Sequence, residues 1–409
     1  MNPSWRMTLV RILVGIGVFL QLGTQPIFSQ NLTDGLSREL PKASTGPKRT
    51  KAPDSAITIW GETNLKRLDD FAYGPGGDSI LAIAVVSSQF DPRFNDGRVQ
   101  ILCWKAPQTE PETLLKFSTE INRLAVSPDG HIAVTRFETR KTDSDRSFQR
   151  GMRGWEEFSI AEIYAPESDK PVKTLEFNFR GPQESLAYSG NGKWLAFGPT
   201  IYSTVDWQSV WTRSGSPRSP NRWALHPSLD LMAIATPSFV DWRSGTSPTV
   251  TLFDLNQKKE VSQAKEALSE PLRQIAIYKE AVDVLAWRKD GSNILMANGR
   301  RFVSTPISSP AETAPDSRQT LAMELRQDDI TQLGGTADGV WTIVGYAQPD
   351  RVIMLNPSAN RGFFIEGSTF RVHPNRSEIL VHRRIYPSAE GARLTREILL
   401  VVDLTKLVD

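Results

Sequence analysis

The chain has 409 residues, 39% of them hydrophobic, with 28 glycines, 27 prolines and a single cysteine, so it can bury a sizeable core but cannot be stapled internally by disulfides. Its 48 basic and 46 acidic side chains nearly cancel, which removes the global field that drives phosphate-backbone binding and sets nucleic acid aside as a partner. Abundant turn residues without any long stretch of helical periodicity point to an all-β array of short strands.

Met1–Gln30 carries Arg6 and Arg11, no acidic residue, and an apolar run from Ile12 to Leu20, followed by polar and small residues near Ser29. That is the layout of an export signal, and the run is short of the ~20 residues that span a bilayer. The expected location is periplasmic or secreted, with an N-terminal membrane anchor if the segment stays uncleaved. Once it is removed, 46 basic and 46 acidic residues remain and no integral membrane span. Residues 31–54 include LPKASTGPKRTKAP, basic and rich in Pro, Ser and Thr, and read as a flexible linker. The folded body is then 55–409.

A lone strand, AITIWGE from Ala56 to Glu62, opens that body. One hairpin phrase follows seven times: FAYGPGGDSILAIA from Phe71, LAVSPDGHIAVTR from Leu124, LAYSGNGKWLAFG from Leu186, WALHPSLDLMAIA from Trp223, LAWRKDGSNILMA from Leu285, LGGTADGVWTIVG from Leu333 and FRVHPNRSEILVH from Phe370. The mean period, about 50 residues, is that of a four-stranded propeller blade. Third strands are predicted at Arg98–Trp104, Ser159–Tyr164, Thr249–Asp254, Arg351–Leu355 and Glu397–Asp403, and fourth strands at Thr113–Phe117 and Val172–Phe177. Cys103 falls within the third strand of the first blade and reads as a small core residue. Asp-Gly turns suit two-residue hairpins, whereas Leu229-Asp230 and Asn375-Arg376 lack glycine and are expected to use longer connections. Blade three is compressed between Leu186 and Ser214, and Ser304–Ser317, rich in Pro and Ser, reads as loop. Only six residues follow Asp403, so the lone strand at Ala56–Glu62 is predicted to pair with the last blade and close the ring. The expected fold is an all-β, seven-bladed β-propeller.

LAVSPDGHIAV, LAYSGNGKWLAF and TLFDLNQKKEV resemble the repeat of WD40-type and bacterial WD40-like or TolB-like propellers: apolar-x-x-S-P-D-G-x-x-apolar, then a strand ending in Asp-Leu. The resemblance runs from Ala56 to Asp409. Ser127-Pro128-Asp129-Gly130 is the best turn match, and Phe253-Asp254-Leu255 and Val402-Asp403-Leu404 are the best strand matches. No Gly-His pair opens a blade and no blade ends in Trp-Asp, so the Asp-His-Ser/Thr-Trp network of eukaryotic WD40 blades has no direct counterpart. The resemblance implies a fold and a binding habit; it implies no reaction.

Catalytic signatures are absent: no Gly-x-Ser-x-Gly, no His-Glu-x-x-His and no phosphate-cradling Gly-x-x-x-x-Gly-Lys-Ser/Thr. No cofactor is expected. His226 and His373 share one repeat position before Pro227 and Pro374, where a structural hydrogen bond is the simpler role. His131 and His382 have no ligand-spaced neighbour. The alternative to a non-enzymatic role is a hydrolase or lactonase with a polar or metal site at the central channel.

Long segments separate the second and third strands of four blades: Ser87–Gly97, Phe137–Phe158, Thr236–Pro248 and Arg384–Arg396. Alternating strand direction sends all such connections to one face. They carry Arg93 and Phe94, Arg153 and Trp155, Trp242 and Arg243, and Tyr386 and Arg393, a mixture that suits interface hot spots. The same aromatics would also serve to cap the ring. The basic run Arg140, Lys141, Arg146, Arg150 and Arg153 is diluted by acids and reads as a solvated loop. The expected role is a non-catalytic, monomeric platform whose loop face binds a protein or a cell-envelope polymer.

Overall fold

The computed structural model describes residues 44–45, 47, 49–63, 67–85, 99–141, 155–178, 186–212, 223–235, 250–260, 282, 284–299, 301–306, 321–324, 330–347, 350–385 and 396–407. They form seven separate sheets, each with four antiparallel strands, which in six of the sheets follow one another in chain order. Blade one holds Arg67–Tyr73, Ile80–Val85, Val99–Trp104 and Glu112–Phe117; blade two holds Arg123–Val126, Ile132–Lys141, Trp155–Tyr164 and Pro171–Phe177. Blade three holds Leu186–Tyr188, Trp194–Phe197, Thr200–Ser203 and Ser209–Thr212, and blade four Trp223–Leu225, Leu231–Ala235, Val250–Asp254 and Lys259–Glu260. Blade five holds Val284–Trp287, Asn293–Asn298, Arg301–Pro306 and Leu321–Glu324; blade six holds Ile330–Gly335, Thr342–Ala347, Asp350–Asn356 and Arg361–Glu366. Blade seven has Thr369–Val372, Glu378–Ile385 and Arg396–Asp403, and its fourth strand comes from the other end of the chain: Ile57–Thr63, antiparallel to Arg396–Asp403. The predicted closing strand is therefore present. The chain after it ends in a short 3-10 turn, Leu404–Leu407, whose Leu404 and Leu407 are buried.

The core lies in the seams between blades, because each sheet is twisted and apolar on both faces. Leu81, Ile83 and Ile101 of blade one meet Leu124, Ile132 and Val134 of blade two. Trp341, Ile343 and Met354 of blade six meet Phe370, Ile379 and Val381 of blade seven. Leu380 and Leu399 of blade seven meet Phe71 and Ile80 of blade one, so the seam that closes the ring is as apolar as the others. Cys103 is buried in the seam between blades one and two.

Blade three, compressed in sequence, has four short strands. Two expectations are corrected. Ser304–Pro306 belongs to the strand Arg301–Pro306, not to a loop. The turns without glycine are no longer than their neighbours: His226 N–H reaches Leu231 O and His373 N–H reaches Glu378 O, the same spacing as Ser189 to Trp194. The glycine turns place a left-handed residue at Gly77, Gly192, Gly291 and Gly339. The two others use histidine instead. His226 Nδ1 accepts from the N–H groups of Ser228 (3.1 Å) and Leu229 (2.9 Å), and His373 Nδ1 accepts from Asn375 (3.0 Å) and Arg376 (2.9 Å).

Candidate functional site

The first-to-second-strand turns gather on one face and lock to each other. With Nδ1 accepting, His226 Nε2–H donates to Gly291 O across the seam (3.2 Å), and the ring packs edge-on against Trp287 at 4.6 Å. His373 likewise packs against Gly77 and edge-on against Tyr73, with ring centroids 4.7 Å apart. A side chain on Gly291 would come within 2.5 Å of the His226 ring, so the close approach requires glycine. Between blades three and four the hub is Asp230, which accepts from Asn191 Nδ2 (3.0 Å), Lys193 Nζ (3.2 Å), Trp194 Nε1 (2.8 Å) and Asn256 Nδ2 (2.7 Å). Burial pushes the Asp230 carboxyl up, but those donors outweigh it and hold it below the usual range. Ser377 joins Asp338, and Arg376 joins Asp78, across the last two seams. Nearer the axis, Asp70 accepts from Leu124 N–H (3.0 Å) and Arg371 Nη2 (2.5 Å), tying blades one, two and seven.

The two histidines make stability pH-dependent. Burial, with the Arg376 charge beside it, depresses His373 to about 4, and burial likewise lowers His226. The folded state thus prefers neutral imidazoles, whose contribution is complete above the unfolded pKa of about 6.5 and is lost as pH falls from there toward 4. Between pH 7.5 and pH 4.5 the ring is expected to lose about 1–2 kcal/mol through His373 after solvent screening. The urea midpoint at both pH values, in the natural chain and in His373→Asn, checks this: the variant's midpoint is expected to respond less to pH.

The opposite face receives the second-to-third-strand connections. Strand pairs close at the base of each: Val85 with Val99, Lys141 with Trp155, Ala235 with Val250 and Ile385 with Arg396. The four long connections of blades one, two, four and seven therefore leave from one side of the ring. Arg93, Phe94, Arg153, Trp242, Arg243, Tyr386 and Arg393 lie between those bases in sequence and outside the described residues. Of Trp155 the backbone alone is described: it opens the third strand of blade two, paired with Lys141.

Blade two departs from expectation here. Phe137–Lys141 and Trp155–Phe158, read as part of an insertion, are strand, so that hairpin is ten residues long on each side. Arg140 and Lys141 accordingly belong to a strand, not to a solvated loop. An ion ladder braces one side of the hairpin. Arg136 reaches Glu162 (2.9 Å) and Glu138 (2.8 Å), and Arg140 reaches Glu138 (2.7 Å) and Glu176 (2.7 Å). Arg140 also lies over the Phe158 ring at 4.6 Å. Hydrogen bonds from Arg140 and Arg136 hold Glu138 down to about 2.

Blade seven carries a polar network that sequence reading missed. His382 Nε2 pairs with Glu397, Arg384 Nε donates to the other carboxylate oxygen (2.8 Å), and Ser368 Oγ is 3.4 Å from His382 Nδ1. His382 and Glu397 are 6% and 2% exposed, and the imidazole meets Phe71 of blade one at 5.9 Å. Glu397 is opposite Arg384 in the register, so His382 is its diagonal neighbour. Burial pushes Glu397 up, yet His382 and Arg384 hold it below the usual range. Among the described residues, no group of three or more His, Cys, Asp and Glu side chains is placed to hold a metal ion. No helix among them is long and apolar enough to cross a membrane.

The arrangement defines a seven-bladed β-propeller of four-stranded blades, the last of them completed by Ile57–Thr63. No family model matches the chain, and no curated protein does. Among solved structures it is similar to the β-propeller domain of Cps50 (Swd1) from Myceliophteria thermophila, at 12% identity over 84% of this chain and 99% of that one, with a TM-score of 0.49. The seven sheets themselves, not this likeness, establish the fold.

Proposed function

We propose that the chain is an exported, non-catalytic platform whose second-to-third-strand face binds a protein or cell-envelope polymer. The observation that carries this reading is the polarity of the ring. One face is closed by short turns whose polar side chains are spent on neighbouring blades. The other is the origin of four long connections rich in aromatic and arginine residues. Rigid strands that present variable loops separate the work of folding from that of binding. Trp155, Trp242, Phe94 and Tyr386 would bury apolar area, while Arg93, Arg153, Arg243 and Arg393 would give directional polar contacts. Export rests on the Met1–Gln30 layout alone.

The test is capture from an envelope extract with the natural chain and with Trp155→Ala/Trp242→Ala. A partner retained by the first and lost by the second, at equal melting temperature, is the expected result. Equal capture by a folded double variant would remove this face as the site.

A further inference from the structure

Two strands lie outside the four-stranded plan. Arg49–Lys51 runs parallel along the outer strand of blade six, with Arg49 opposite Gly362, Thr50 opposite Phe363 and Lys51 opposite Phe364. Ser44–Thr45 runs parallel along the outer strand of blade five. Both fall in the segment whose composition reads as flexible linker, so that reading is corrected here. Thr50 and Lys51 are polar where their side chains face water at the rim. Neither strand takes part in ring closure, which Ile57–Thr63 performs on blade seven.

The outer strand of blade six reads RGFFIE, with an apolar stretch between two charged ends. Among the described residues no fifth strand covers blades one to four. The fit on blade six is shaped. A side chain on Gly362 would come within 3.1 Å of Arg49 Cγ and 3.5 Å of Pro47 Cγ. Ala52 N–H donates to Phe364 O (2.9 Å), and its methyl, 2% exposed, joins Trp341, Ile343 and Ile365 in the core. Thr50 and Lys51 face solvent. A paired backbone, one small apolar anchor and outward polar side chains are the elements of peptide recognition by strand addition.

We propose that the outer edge of blade six is a docking groove for an extended peptide, filled in this chain by its own Arg49–Ala52 as an exchangeable strap. The incoming ligand it fits is the same segment of another copy, running parallel with alanine at the anchor. The site is on the rim, separate from the loop face, and stands whatever that face binds.

A fluorescein-labelled peptide spanning residues 44–56 is the probe, titrated into the full chain and into the full-length Ala52→Asp variant, where a carboxylate at the apolar anchor empties the groove. The peptide is expected to bind the variant at least about tenfold more tightly than the natural chain, since the strap no longer competes. A peptide carrying the same Asp is expected not to bind, and adding Gly362→Val to the variant abolishes binding. In the natural chain, the Ala52 amide is expected to exchange hydrogen at least about tenfold faster than the amides of Ile57–Thr63. A folded Ala52→Asp chain that ignores the peptide would overturn the proposal. So would an Ala52 amide that opens only with the closing strand, a result that decides the matter even if the variant does not fold.

Discussion

Deleting Ala56–Glu62 is expected to cost the domain roughly half of its stability, about 4–6 kcal/mol, and to broaden its unfolding transition. The strand does more than fill an edge. It pairs with Arg396–Asp403 from Ile57 to Thr63, so it joins the two ends of the ring. Ala56 enters the core with Leu404 and Leu407, and Arg396 is clamped to Glu62. Without it, blade seven keeps three strands and exposes an apolar edge beside Leu400 and Val402. Propeller seams support each other around a circle, so an open ring loses cooperativity as well as contacts. Differential scanning calorimetry measures both. A truncated chain with an unchanged melting temperature and a sharp transition would mean that closure is carried by the seam between blades seven and one alone.

The second large effect is expected at Glu397. Replacing it by alanine leaves His382 buried without its partner and strips Arg384 of a carboxylate, and removing one side of a buried pair costs about 3 kcal/mol or more. Glu397→Gln keeps an acceptor for Arg384 and is expected to cost about half as much. Because the Glu397 pKa is depressed in the fold, its contribution is present above the unfolded carboxylate pKa and is lost as pH falls through the folded value. Urea midpoints of the natural chain and both variants at pH 7 measure the ordering. Equal stability of all three would show that Ser368, His382 and Arg384 hold the seam between blades seven and one without the carboxylate.

The hairpins, most third strands and the closing strand were legible because alternation of apolar residues is a local signal. AITIWGE carries that signal without a hairpin of its own, which left the last blade as its natural partner. The strap carried none. Arg49, Thr50 and Lys51 are polar because they lie at the rim, and the edge they cover belongs to residues more than three hundred positions away. The long hairpin of blade two was hidden for a related reason. Glu138 and Arg140 look like loop residues until they are set beside Arg136 and Glu176. His382 and Glu397 are 15 residues apart and meet only after the register is known. A repeated His-Pro at turns without glycine is itself a signal that a side chain takes over hydrogen bonds of the turn backbone. The candidate binding residues sit between strand pairs whose bases are placed, while the residues themselves lie outside the described ones.

The most direct test of a two-faced ring is to block each face separately on one blade. In a Cys103→Ser background, Ser244→Cys places a thiol in the long connection of blade four, and Leu229→Cys places one on its turn, where Leu229 is 53% exposed. Each is coupled to a bulky polyethylene glycol maleimide and tested for capture of the envelope partner. Loss of capture on labelling at Ser244→Cys, with full capture after labelling at Leu229→Cys, is the predicted result. Loss confined to the Leu229→Cys label would contradict the assignment and move binding to the turn face.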